Sequence, residues 1–169
     1  MLDMGFLPEI RKILRVLPAK RQTLFFSATM PPPIRELTRE MLHQPVTIQR
    51  ERVAVTPTGI TQAVYPVSQD LKSALLVALL KRGDIAQALV FTRTKHRANR
   101  LADALQREGV RAERIHGNRS QAQRTAALAQ FKAGRCPVLV ATDIAARGID
   151  VEDLGHVVNF DVPEAPEDY

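Results

Sequence analysis

Residues 137–150 read Pro137-Val138-Leu139-Val140-Ala141-Thr142-Asp143-Ile144-Ala145-Ala146-Arg147-Gly148-Ile149-Asp150. The apolar run at the front has the length and β-branched content of a strand buried on both faces, as strands of parallel sheets are. A hydroxyl, two carboxylates, an arginine and a glycine follow where that strand ends. In open α/β sheets, ligands bind at the carboxyl ends of strands. Thr142 and the amides after it suit a phosphate. Gly148 permits close backbone approach, and Asp150 can accept from a ribose hydroxyl. The plain alternative is a polar loop with a Thr or Asp helix cap. For Thr142-Asp143 alone that alternative is the better one. It does not account for Arg147 and Asp150 flanking Gly148, which add nothing to capping.

Strands and helices alternate on the near side of this stretch. Ala88–Thr92 reads as a strand, and 95–108 as a helix with Ala98, Leu101, Ala102 and Leu105 inward. Gly109 stands where that helix should end. Val110–His116 reads as a strand, 120–133 as a helix, and 155–160 as a last strand. Upstream, Leu71–Lys81 is a leucine-rich helix and Thr61–Val67 a further strand. Such alternation implies βαβ crossovers, hence an α/β fold with a mostly parallel sheet. Before it, Pro8–Leu17 reads as a helix with Ile10, Ile13, Leu14 and Leu17 on one face. Thr23–Ala28 and Val46–Gln49 read as strands, separated by a helix beginning near Pro31-Pro32-Pro33, where no amide donor is needed. Residues 50–59 lack apolar periodicity and read as a linker. Two strands and two helices before the linker would leave large apolar faces uncovered.

The composition is that of an ordinary globular protein, with 45% hydrophobic and 25% charged residues. No apolar run reaches the roughly 18 residues that suggest a membrane span. Asp3 and Glu9 interrupt any leader-like pattern. Cys136 is the single cysteine, which excludes an internal disulfide and a cysteine-cluster metal site. No second histidine stands at metal-ligand spacing from His116. These features suit a cytoplasmic protein without metal. The +6 formal charge is unevenly spread: residues 86–148 carry twelve basic and four acidic side chains, residues 149–169 seven acidic and none basic. A basic middle attracts polyphosphates by counterion release, without sequence preference. With no Trp and two Tyr, broad stacking on bases is disfavoured and backbone contact is expected.

The 141–150 string resembles motif V of the DEAD-box RNA helicases, and other segments agree in order. Phe26-Ser27-Ala28-Thr29 resembles motif III, and Val90-Phe91-Thr92-Arg93-Thr94-Lys95 resembles motif IV. His116-Gly117 followed by Gln121-Ala122-Gln123-Arg124 resembles the segment with the family's QxxR element. Met1-Leu2-Asp3-Met4-Gly5-Phe6 is similar to the stretch just after the Asp-Glu-Ala-Asp box. The likeness spans the chain and is closest to the bacterial RhlE-like group. It implies a RecA-like fold with helices on both sheet faces, plus an incomplete piece of a first RecA-like domain. The boundaries it implies are 1–49 for the end of the first domain, 50–59 for the linker and 60–169 for the second domain, stopping before motif VI.

The resemblance also implies roles. Thr94, Gln121, Arg124 and Thr142 would hold RNA backbone. Arg147, Gly148 and Asp150 would bind nucleotide, with Asp150 on the ATP ribose and Arg147 near the interdomain seam. Ser27, Ala28 and Thr29 would couple the two domains. ATP and Mg²⁺ are the implied cofactors of the full-length protein; RNA and the first RecA-like domain are the implied partners. Each role has a structural competitor: an N-cap for Thr94, a surface arginine for Arg124, a loop ion pair for Arg147 and Asp150, a helix cap for Ser27 and Thr29. The sequence holds no G-x-x-x-x-G-K-[ST] phosphate loop and no Asp-Glu-Ala-Asp box. Phosphoryl transfer needs a phosphate cradle and metal-holding carboxylates. The resemblance implies that the parent is an ATP-dependent RNA helicase, and without these parts the 169 residues alone are expected to be inactive. A non-catalytic RNA-binding or scaffold module is the alternative from another class.

Overall fold

The computed structural model describes residues 6–27, 30, 32–48, 59–146, 148, 149, 151 and 154–163. The chain divides into two units, Met1–Thr61 and Gln62–Tyr169.

In the first unit, α1 (Leu7–Val16) and α2 (Pro32–Met41) form as expected, with proline in the first turn of α1. Arg11 forks onto Glu40, Nη2–Oε1 at 2.6 Å and Nε–Oε2 at 3.0 Å. That hydrogen bond raises the Arg11 pKa and lowers that of Glu40. The pair is exposed, so it contributes little to stability. Ile34 and Leu37 of α2 are buried, but α1 buries no residue. Its apolar stripe is real, yet Ile13 remains 57% exposed.

The expected strands at 23–28 and 46–49 are not present over their described residues, 23–27 and 46–48, and neither is the one at 61–67. A strand is stable only when its backbone groups pair with a neighbour. Among the described residues these segments join no strand ladder. Their apolar side chains stay in solvent: Phe26, Val46, Ile48 and Val64 are each nearly nine-tenths exposed or more.

The second unit is an α/β layer structure. α3 (Lys72–Arg82) precedes β1 (Ala88–Thr92), α4 (Lys95–Arg107), β2 (Ala112–Ile115), α5 (Gln121–Lys132), β3 (Val138–Thr142), the single turn α6 (Asp143–Ala146) and β4 (His156–Asn159). The four strands are all parallel, in the order β2-β3-β1-β4. Alternate residues of the central strands feed opposite faces. Ala88, Val90, Val138 and Val140 pack with Leu76 of α3 and with Ala98, Leu101, Ala102 and Leu105 of α4. Leu89, Leu139 and Ala141 pack with Ala127 and Phe131 of α5 and Ala145 of α6. Helices therefore cover both faces. Fully buried alanines on α4 let that helix sit close to the sheet.

Helix ends follow local chemistry. Gly83 takes a left-handed φ of 82° as the cap of α3. Gly109 (φ 81°) ends α4, with its amide donating to Gln106 O and the Val110 amide to Leu105 O. That cap uses Val110, so β2 begins at Ala112 and not at 110. Cys136 is fully buried, and burial pushes its thiol pKa up.

Candidate nucleic-acid interface

Because all four strands run parallel, every loop that follows a strand emerges at one edge of the sheet. That edge collects Arg93-Thr94 after β1, residues 116–120 after β2, Thr142 and α6 after β3, and Phe160-Asp161 after β4. Thr92 and Thr142 face each other in register at the ends of β1 and β3.

Thr94 is the N-cap of α4; its Oγ1 accepts from the Arg97 amide at 3.2 Å. The capping alternative is thus present, and the exposed hydroxyl keeps its own proton for a further acceptor. Ser120 caps α5 through a reciprocal box with Gln123. The Ser-x-x-Gln spacing is the sequence signal of that box.

Arg124 departs from the expectation of an exposed surface arginine. It is half-buried. Its Nη1 donates to Gln121 Oε1 at 3.3 Å and its Nη2 to Ala145 O in α6 at 3.4 Å. The two sequence elements singled out around residues 121–124 and 141–150 thus meet through this side chain. Arg124 Nε is buried and lacks a hydrogen-bond partner among the described residues, as do Arg119 Nε and His116 Nδ1. Thr142 ends β3, half-exposed, just before α6. With one turn only, α6 has little dipole to offer an anion. Gly148 adopts φ +80° in an exposed turn, a conformation other residues reach only with strain. Ala28, Thr29, Arg147 and Asp150 lie outside the described residues, as do Met1–Gly5 and the linker residues 50–58. Ser27 is exposed.

Two buried polar residues stand at this edge, Asp161, which sequence reasoning missed, and His116. Asp161 is only 5% exposed. Its carboxylate takes an ion pair from Arg97 Nη1 at 2.9 Å and from Lys72 Nζ at 3.7 Å, and accepts from the Arg93 amide at 3.0 Å. Asp161 therefore holds the backbone just before Thr94. One more carboxylate in an acidic segment gives no sequence signal for such long-range partners.

His116 is 2% exposed, with Nε2 at 2.9 Å from Asn99 Oδ1. An amide oxygen only accepts, so Nε2 carries the proton. Burial lowers the His116 pKa below its ordinary 6.5, helped by Arg119, Arg114, Lys95 and His96. Folding thus favours the neutral ring. Its contribution to stability is complete above pH 6.5 and is lost as pH falls through the lower folded-state pKa. Urea unfolding of the wild type should show stability declining below that pH, and His116→Gln should flatten the decline. An unchanged pH profile in the variant would assign the decline to other groups.

Among the described residues no cluster of metal-ligating side chains occurs, and no helix is long and apolar enough to cross a membrane.

Residues 71–169 match the model of the helicase conserved C-terminal domain. The chain belongs to that family. Its whole length is 45% identical to the DEAD-box ATP-dependent RNA helicase CshA of Geobacillus kaustophilus and 44% identical to CshA of Bacillus subtilis, covering 36% and 34% of those proteins. The chain spans about a third of the curated relatives it matches. These relatives are CshA proteins and do not support the RhlE-like grouping. Among solved structures, it is similar to Saccharomyces cerevisiae Dbp5 bound to RNA and ADP BeF3 (28% identity, TM-score 0.80, 96% of this chain and 42% of that one). A DEAD box protein from Methanococcus jannaschii is 37% identical, with a TM-score of 0.63 over all of this chain and 45% of that one. The parallel sheet of this helicase C-terminal domain is RecA-like.

Proposed function

We propose that this chain is part of an ATP-dependent RNA helicase and that the carboxyl edge of its sheet holds the backbone of single-stranded RNA. The observation that carries the reading is Arg124. It joins the start of α5 to α6 beside Thr142 and keeps a buried Nε without a partner among the described residues. A guanidinium fixed in this way meets a phosphate with little further ordering cost, and the charge strengthens the bond. Thr94 and Thr142 add hydroxyl donors on the same edge, and Gln121 orients Arg124. Contacts to phosphate and 2′-hydroxyl give affinity without base readout. The names of the CshA relatives and the RNA held by Dbp5 support the same substrate.

In the full-length protein, ATP with Mg²⁺ supplies the energy for strand separation. Arg147, Gly148 and Asp150 would face that nucleotide, and Ser27, Ala28 and Thr29 would couple it to domain closure. Residues 1–49 then complete the first RecA-like domain, 50–59 link it, and 60–169 form the second, in a cytoplasmic protein. Within these 169 residues there is no phosphate loop, so the purified chain should release no phosphate from ATP above background with saturating RNA and Mg²⁺. Robust hydrolysis abolished by Asp150→Ala would show that the nucleotide site is divided differently.

Fluorescence anisotropy with single-stranded RNAs of unrelated sequence tests the RNA reading. Affinities should agree across sequences and fall linearly with salt on logarithmic axes. Salt-insensitive or strongly sequence-selective binding would overturn backbone recognition, and no binding would favour a scaffold role.

A further inference from the structure

We propose that Lys95, Asn99 and Asp103 of α4 form a side-chain zipper that positions the RNA-binding edge, a role resting on the reading above. These residues lie four apart on one helix face. They meet residues two apart along β2 and the loop after it. Asp103 Oδ1 accepts from Arg114 Nη1 at 2.7 Å. Asn99 Oδ1 accepts from Arg114 Nη1 at 3.2 Å and from His116 Nε2 at 2.9 Å. Lys95 Nζ donates to Asn118 Oδ1 at 3.1 Å.

The match is geometric. Four helical residues rise about 6.0 Å, and two extended residues rise about 6.6 Å. The rungs at Arg114 and His116 on the antiparallel helix and strand therefore stay in step, and the Lys95 rung reaches Asn118 in the turn that follows, where the Arg119 amide donates to His116 O at 3.0 Å. The zipper runs from the middle of α4 to its first residue, next to the Thr94 cap. On the other side it runs from β2 to Asn118, two residues before the Ser120 cap of α5. It thus sets the spacing between the helix start that carries Thr94 and the one that carries Gln121 and Arg124. The sheet core holds the bodies of α4 and α5, but the loop that leads into α5 is left to the zipper, because Gly117, Asn118 and Ser120 are exposed. None of the three α4 residues needs to touch RNA.

The test is RNA anisotropy across a salt series, measured well below each variant's melting temperature. Variants are Asn99→Ala, Asn118→Ala, His116→Ala, His116→Gln and, as a direct phosphate contact, Arg124→Ala. Asn118 is exposed, so its variant should fold whatever happens to the others. Loss of a neutral rung should weaken binding about fivefold. The salt slope should stay unchanged, because no charge contact is removed. Gln keeps a donor toward Asn99, so His116→Gln should bind like the wild type while His116→Ala does not. Normal affinity in folded Asn99→Ala and Asn118→Ala, with Arg124→Ala impaired, would overturn the zipper and leave the RNA site standing. An unimpaired Arg124→Ala would overturn the RNA reading and the zipper's role with it.

Discussion

Phe131→Ala should lower the stability of the sheet unit by about 4 kcal/mol. Phe131 is the largest fully buried side chain among the described residues. It packs with Leu89 of β1, Ile115 of β2, Leu139 of β3 and Ala127 one turn earlier on α5. Removing the ring forfeits its transfer from water and leaves a cavity that three strands cannot close. The backbone carbonyl of Phe131, which accepts from Gln87 Nε2 at 2.7 Å, is untouched, so the loss isolates packing. Urea unfolding should show a lower midpoint with the same slope. A loss below about 1 kcal/mol would mean that α5 is not docked on this face. Because α5 carries Gln121 and Arg124, its anchoring at Phe131 also supports the proposed RNA edge.

Asp161→Ala should cost about 3 kcal/mol. The carboxylate is buried and answers two cations and one amide at once. Without it, Arg97 and Lys72 face each other's charge at partly buried positions, and the Arg93 N–H has lost its acceptor. Neither cation is fully enclosed, which keeps the penalty at the low end for a broken buried pair. Asp161→Asn should cost less, since the amide oxygen still accepts from Arg93. Equal stability of Asp161→Ala and the wild type in urea would show that the cluster does not hold β4 to the starts of α3 and α4. Lys72 adds a tie of its own, donating to Phe160 O at 2.8 Å and sitting 5.5 Å from the Phe160 ring.

Ala88–Thr92 and Val138–Thr142 were legible to the residue, because a strand buried on both faces must be apolar throughout and its ends are marked by polar atoms. Helix α4 was legible from Ala98, Leu101, Ala102 and Leu105, and its end from Gly109. Thr23–Ala28, Val46–Gln49 and Thr61–Val67 have equally apolar patterns but join no strand ladder over their described residues. Apolar alternation states a preference, while the ladder that realises it belongs to another segment. The candidate site divides in the same way. Thr94, Gln121, Arg124 and Thr142 could be picked out because their local strings resemble the family's motifs. The ties that hold them, Asp161 to Arg93 and Asn99 to His116, join residues far apart in sequence and leave no local pattern. Arg124 itself looked like a surface residue, because nothing in the sequence shows that it reaches Ala145.

The most direct test of the RNA-binding edge is anisotropy of single-stranded RNA at several salt concentrations for wild type, Arg124→Ala, and a double variant of Arg100 and Arg107. The last two are exposed on α4, and neither shares the ion pair that ties Arg97 to Asp161. The expected result is that Arg124→Ala weakens binding to all sequences by about tenfold and flattens the salt dependence by about one counterion, while the Arg100/Arg107 variant binds nearly as the wild type. Unchanged affinity and slope for Arg124→Ala, with binding abolished in the Arg100/Arg107 variant, would contradict the account and place RNA on the general basic surface of α4.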